Sequence, residues 1–322
     1  MNDRSRYYAG ILVVGSLIAG ASAALAQNYP NKPIRFMSPA TGGGADFLAR
    51  IIAQALSANL GQQVIVDNRP NGPIPIEITA KAAPDGYTLL FYGTTVWLMP
   101  FMRDYLSYDP VRDLAPVSLT NRSPNVLVVY PSLPAKSVKE LIALARNKPG
   151  ALNYATTGTG NATHISGELF KSMAGVDIVR INYKSTGTAL NDVIAGQVQL
   201  IFATAASVTP HMKSGRLTAL AVTSAQPSAL FAGLPTVAAS GVPGYEAVQM
   251  NGIFAPAKTP AAVVSRLNQE IVRALNQPET REKLLNTGVE PVGTSPQEFA
   301  SKIKSEMTRL GKLIKDVGIR DE

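Results

Sequence analysis

Apolar and polar positions along this chain switch between two periods. Short apolar runs of strand type alternate with stretches in which apolar residues recur every three or four positions. Pro33–Met37 predicts a strand, and Leu48, Ile51, Ile52, Ala55, Leu56 and Leu60 predict a helix that Gly61 ends. Val64–Val66 reads as the next strand, and Thr88–Tyr92 as another, after the Asp85-Gly86 turn. This β-α-β order predicts a mostly parallel sheet with helices on both faces.

A second block repeats the pattern. Val126–Tyr130 reads as a buried strand, and Ser137 with Glu140 as a capping box opening a helix to about Asn147. Asn153–Thr156, Val179–Tyr183, Leu200–Ala203 and Leu217–Val222 are further strand-like runs. Toward the end, Val264, Leu267, Ile271 and Leu275 form one stripe at helical spacing. Phe299, Ile303, Met307, Leu310, Ile314 and Val317 form another. Both are read as core-facing helix faces rather than membrane-binding ones.

Two glycine-rich turns stand between strand and helix. The first is Pro39-Ala40-Thr41-Gly42-Gly43-Gly44-Ala45-Asp46, the second Thr157-Gly158-Thr159-Gly160-Asn161-Ala162-Thr163-His164. Unpaired backbone N–H groups and the positive end of a helix dipole make such a turn an anion site. One such turn alone reads as a tight loop. Two at strand-to-helix junctions favour a ligand at the sheet's carboxyl edge.

The N-terminus changes the domain count. Arg4 and Arg6 precede an apolar run from Ala9 to Ala19, and Ala24-Leu25-Ala26 fits a small-x-small cleavage site. Residues 1–26 are therefore expected to be a signal peptide cleaved near Ala26, which places the mature protein outside the cytoplasm. The roughly 296 residues beyond it suffice for two domains. The chain has no cysteine, which excludes disulfides, thiol catalysis and cysteine-ligated metal. The formal charge is +8, scattered without a basic run, and there is one tryptophan. Nucleic-acid binding would need a basic stripe with stacking aromatics, so no nucleic-acid partner is expected.

Catalytic chemistry finds little support. No Gly-x-Ser-x-Gly elbow occurs, and the two histidines, His164 and His211, stand apart. Gly158-x-Gly160 lacks the third glycine of a dinucleotide fingerprint, and the first turn lacks the lysine of a phosphate-binding P-loop. No metal and no cofactor are expected. His164, four residues beyond Gly160, is read as fixing its loop or touching ligand.

A set of motifs now becomes informative jointly: Tyr29–Arg35, Gly42–Arg50, Val66-Asp67-Asn68-Arg69-Pro70, Pro84–Leu89, Ser166–Phe170, Ala195–Gln199 and Leu234–Val237. Across essentially the whole mature chain they resemble the Bug-type, or TctC-type, periplasmic solute receptors of tripartite tricarboxylate transporters. That resemblance implies an α/β fold of two lobes that close on ligand like a flytrap, with two crossing strands as hinge. The implied lobes are 28–123 with 252–322, and 124–251, and the hinge lies near Ser123-Pro124-Asn125 and Gln249–Gly252. Backbone amides and ordered water of the two glycine loops would hold the ligand carboxylate.

The ligand-contacting positions expected on this basis are Pro39, Ala40, Thr41, Gly42, Gly43, Gly44 and Asp46 in the first loop. The second loop supplies Gly158, Thr159, Gly160, Asn161, Thr163 and His164, and strand ends supply Tyr92, Thr94, Ala203 and Thr204. Four places depart from the family pattern: Asn71-Gly72-Pro73-Ile74-Pro75 stands where a glycine-rich loop is common, Ser185 follows Tyr183-Lys184 where glycine is usual, Ala203 stands where an aspartate is common, and Met250 where an aromatic is common. Loss of that aspartate argues against an amino-acid ligand. Tyr92 and Trp97 remain as candidate stacking walls. The expected protein is a non-enzymatic, monomeric periplasmic receptor for a small carboxylate. Its partners would be the subunits of a membrane transporter or a sensor kinase. The rival readings are a secreted hydrolase of carboxylate esters and an orphan ligand sensor without a transport role.

Overall fold

The structure, a computed structural model, describes residues 29–320 except Ala40, Gly42, Gly43, Asn71, Gly158 and Thr159. The signal-peptide reading of 1–26 lies outside the described residues. The first half runs β1 (Ile34–Ser38), α1 (Gly44–Leu60), β2 (Val64–Asn68), α2 (Ile74–Ala80), β3 (Thr88–Gly93), α3 (Thr95–Leu98) and a 3-10 turn, Met99–Phe101. A long strand β4 (Leu114–Val129) leads to α4 (Val138–Asn147), β5 (Asn153–Thr156), α5 (Ala162–Ala174), β6 (Val179–Asn182), α6 (Thr186–Ile194) and β7 (Leu200–Thr204). There follow α7 (Ala205–Lys213), β8 (Thr218–Val222), a 3-10 turn at Ala229–Phe231, and β9 (Val248–Pro256). The chain ends with α8 (Ala261–Asn276), α9 (Pro278–Asn286), β10 (Glu290–Pro291) and α10 (Pro296–Val317).

Strand order is β2-β1-β3-β9-β4-β7-β5-β6, with β8 and β10 also on β4. Two units of the same topology occupy the ends. In each, the first strand is central and parallel to both neighbours: β1 between β2 and β3, β5 between β6 and β7. The middle is antiparallel and belongs to both. β4 pairs β9 from Leu114 to Pro124, then β7 from Asn125 onward. The change of partner at Pro124/Asn125 is what makes one sixteen-residue strand serve two sheets. Sequence periodicity shows only its second part, because Leu114–Pro124 carries Ser118, Thr120, Asn121 and Ser123 among its apolar residues.

Three apolar clusters hold this frame. One lies under α1 and α8, around Phe36, Ile52, Phe91 and Ile271. One lies between β7, α6 and α7. The largest spans both units: Trp97, Phe254 and Phe299 stack in it at centroid separations of 5.0–6.2 Å, and Phe170 and Tyr245 continue it. Pairs of this geometry add about 1 kcal/mol each beyond their burial. Trp97 is thus a core residue and not a wall open to ligand.

Several local readings need correction. Ser137 does cap α4, accepting from the Glu140 amide, but the Glu140 carboxylate accepts from the Lys136 amide, so only half of a capping box forms. The complete box is at Ser295 and Glu298, opening α10. In α8 the buried residue is Val263 rather than Val264, and Val317 at the end of α10 is exposed. Among the described residues no helix is long and apolar enough to cross a membrane.

Candidate functional site

The topology places both glycine loops alike. Each follows the central strand of its unit, where one connection leaves for β2 or β6 and the other neighbour is β3 or β7. That junction of diverging connections is where open α/β sheets leave a crevice. Each loop then feeds a helix of more than ten residues, α1 or α5, whose first amides have no intrahelical acceptor.

The stem of the first loop is held by charge. Asn68, at the end of β2, donates to the Pro39 carbonyl (2.6 Å) and to Asp46 (2.9 Å). Arg50 donates to Asn68 Oδ1 (2.8 Å) and pairs with Asp46 at 3.0 Å. Asp46 is buried, so its carboxylate is a fixture of the loop's base. Thr41 and Gly44 are exposed; Ala40, Gly42 and Gly43 lie outside the described residues. Tyr92, next to last in β3, ties down the neighbouring loop: its hydroxyl accepts from the Gly72 amide (3.0 Å) and donates to the Gly72 carbonyl (3.2 Å).

A neutral imidazole holds the second loop. Asn161 caps α5, accepting from the His164 amide (2.9 Å), and its side-chain amide reaches back to the Thr157 carbonyl. His164 Nδ1 accepts the Gly160 amide at 3.0 Å, which puts the ring proton on Nε2. Burial, and next the positive charge of Arg180, pull the His164 pKa down to about 4. The ring is therefore neutral at physiological pH, as an acceptor from an amide must be. Gly160 sits at φ +71°, which favours glycine. Gly158 and Thr159 lie outside the described residues. Thr163 is half-buried in the first turn of α5.

Arg180 was not anticipated. It lies on β6, opposite Tyr154, and donates to Thr156 Oγ1 (3.1 Å), whose hydroxyl in turn donates to Asn182 (3.3 Å). It brings a guanidinium beside the second loop. The signal for it was a single charged residue inside a strand of four. Ala203 packs in the core cluster between β7 and its helices, and Thr204 bonds Ser207 at the start of α7. Neither side chain is brought to the glycine loops by a described contact.

Across the crevice the two units touch. A Cβ on Gly160 would run into the sulfur of Met102, which follows the 3-10 turn of the first unit. Thr94 and Leu98 face Ala162 and Ile165 around a cavity of about 10 Å³, at the lower limit for one water. Five buried polar atoms near these elements have no hydrogen-bond partner among the described residues: Ser38 Oγ, Trp97 Nε1, Asn121 Nδ2, Asn125 Oδ1 and Asn251 Oδ1. Ser38 ends β1 directly before the first loop, and Asn121 and Asn251 pair in register on the crossing strands. Each such atom costs about 1–3 kcal/mol unless water or ligand meets it. Among the described residues, no group of three or more His, Asp or Glu is arranged to hold a metal ion.

Comparison with known proteins decides the family. The model of the tripartite tricarboxylate transporter family receptor, TctC, matches residues 48–319. The chain belongs to this family. A protein from the tcbD-tcbE intergenic region of Pseudomonas sp. is 36% identical over 97% of this chain and 94% of its own length. The solved structure of R. palustris Rpa4515 with adipate is 36% identical, with a TM-score of 0.77 over 91% of this chain and 99% of that one. MatC from Rhodopseudomonas palustris with bound malate is 27% identical, TM-score 0.71, over 89% and 100%. Structural neighbours of this TctC-family chain are two-lobed periplasmic solute-binding proteins, not enzymes.

Proposed function

We propose that this TctC-family chain is an extracytoplasmic receptor that captures a small organic carboxylate between its two glycine loops. The observation that carries the reading is the paired placement of those loops. Each crowns the central strand of its unit, each opens a helix at its amide end, and Gly160 of the second loop lies against Met102 of the first unit. A carboxylate bridging them would accept from backbone amides of both helices, and Arg180 adds positive charge behind the second. Relatives solved with adipate and with malate support the same ligand class.

In this reading the lobes are 28–123 with 252–322, and 124–251. The contact residues are Pro39–Gly44, Gly158–Asn161, Thr163 and Thr94, with Asp46, Tyr92 and His164 as their supports. A ligand held by both loops binds only the closed arrangement and shifts the open–closed equilibrium by its differential affinity. The receptor is exported, loses residues 1–26, acts as a monomer, uses no cofactor and delivers its solute to a membrane transporter.

The test is a melting panel of mono- and dicarboxylates, amino acids and neutral sugars on the mature chain. A ligand at a hundred times its dissociation constant stabilises by about 2.7 kcal/mol. Shifts confined to carboxylates are expected. A sugar that outperforms every acid would sink the reading.

A further inference from the structure

Away from the crevice, the last helix carries a second concavity that the receptor reading does not use. α10 and the segment from Phe101 to Pro116 enclose a groove of about 880 Å³, within the usual range for small-molecule sites. Its floor is apolar: Phe101, Pro110, Leu114, Ile303 and Met307. Gly311 lets the floor close, because Phe101 Cζ lies 2.5 Å from where a Cβ would stand. The residues of α10 that line the groove run from Ala300 to Asp316, about 24 Å at the helical rise.

The rim is basic. Among the described residues, Lys304, Lys312 and Lys315 line it with a single carboxylate, Asp316, which is already paired to Lys312. Lys315 covers the Phe101 ring at 5.4 Å, and the exposed Lys304 ammonium has no partner among the described residues. Val111, 68% exposed, stands at the mouth as an apolar side chain in water. A long apolar trough under an unpaired cation fits a molecule with one acidic head and an apolar tail. It does not fit a short dicarboxylate, whose second charge would lie on hydrocarbon.

We propose that this groove is a second ligand site, for amphiphilic monocarboxylates of the fatty-acid class. The tail lies on Met307, Leu114 and Phe101, and the head meets Lys304. The site is independent of the crevice ligand, so it stands or falls separately from the proposed receptor function.

The test is calorimetric titration of the mature chain with hexanoate, octanoate and decanoate below micelle-forming concentrations, with decanol as the uncharged control. Affinity should rise about fourfold per added methylene along the series. Val111→Asp, at an exposed position that leaves the fold intact, should weaken decanoate at least tenfold. Lys304→Glu should weaken decanoate severalfold and leave decanol unchanged. Asn68→Ala, which disturbs the base of the first loop, should leave decanoate binding as it is, provided its melting transition is retained. Equal decanoate affinity in wild type and Val111→Asp would overturn the proposal. So would sedimentation with phosphatidylglycerol vesicles, dependent on Val111, without any binding of free decanoate. The groove would then be a membrane contact.

Discussion

The two β-α-β-α-β units share strand order, loop placement and helix direction, yet they anchor their glycine loops by different chemistry. The first uses a carboxylate, a carboxamide and a guanidinium: Asp46, Asn68 and Arg50. The second uses His164, a buried neutral imidazole that accepts the Gly160 amide. One unit thus holds its loop through an ion pair and a carboxamide, the other through a ring whose support changes character when it takes up a proton. Repeated topology fixes where a loop sits, and the side chains beneath it decide how firmly and under what conditions.

The comparison breaks most visibly at Gly160. Gly160→Val puts a β-branched residue at φ +71° and drives its Cβ into Met102. The strain and overpacking together should cost about 3 kcal/mol of stability. Affinity for the carboxylate that shifts melting most should fall at least tenfold, about 1.4 kcal/mol. Chemical denaturation and calorimetric titration measure the two effects. Unchanged affinity would remove the second loop from the site.

The pH response should separate the units next. In the unfolded chain His164 titrates at its ordinary value of 6.5, whereas in the fold it takes a proton only near pH 4. Between those values the unfolded state binds more protons, so stability falls as pH falls. The contribution is complete above pH 6.5 and is lost progressively toward pH 4, to a total of about 3 kcal/mol. Subtracting the curve of His164→Gln from that of the wild type isolates this imidazole from the carboxylates. A flat difference curve from pH 7 to 4 would mean that His164 is solvated.

The units also differ in how much of them could be read from the chain. The β-α-β order was legible because β1, β2, β3, β5, β6 and β7 are short apolar runs bounded by turns, and the glycine loops are marked by composition. The first part of β4 was not, since Asn121 and its polar neighbours break the alternation while being fully buried. They serve two sheets and a crevice rather than one core face. Trp97 stood as a candidate wall as well as a core residue because an aromatic shortly after a strand looks the same in sequence whether it turns inward or outward; it lies in α3 and turns inward. Ala203 and Thr204 end β7, and α7 starts at once, so Ala203 packs in the core cluster and Thr204 bonds Ser207. Arg180 was hidden because its role depends on the register of β5 against β6, which no local pattern carries.

On the first loop, Asn68→Ala should weaken the base without touching the glycines. The carboxamide donates to Pro39 and Asp46 and accepts from Arg50. Its loss leaves the Pro39 carbonyl unpaired and Asp46 with fewer donors, for about 2 kcal/mol. Chemical denaturation measures the loss. Unchanged stability would mean that the carboxamide is not what holds the stem of the first loop.

The smallest effect expected is at Gly44, and its sign is the opposite. Gly44 opens α1, its φ is not in the left-handed region, and nothing lies within 4 Å of where a Cβ would stand. Alanine there loses less backbone freedom on folding, so Gly44→Ala should stabilise by about 0.5 kcal/mol. The backbone amides that face the crevice keep their directions, and affinity for the same carboxylate should stay within twofold. Gly160 and Gly44 are then glycines for different reasons, one because its conformation and its neighbour forbid a side chain, the other without such a demand. A tenfold loss of affinity in Gly44→Ala with its stability intact would show that ligand comes within van der Waals contact of that Cα, and would move the centre of the site toward the first loop.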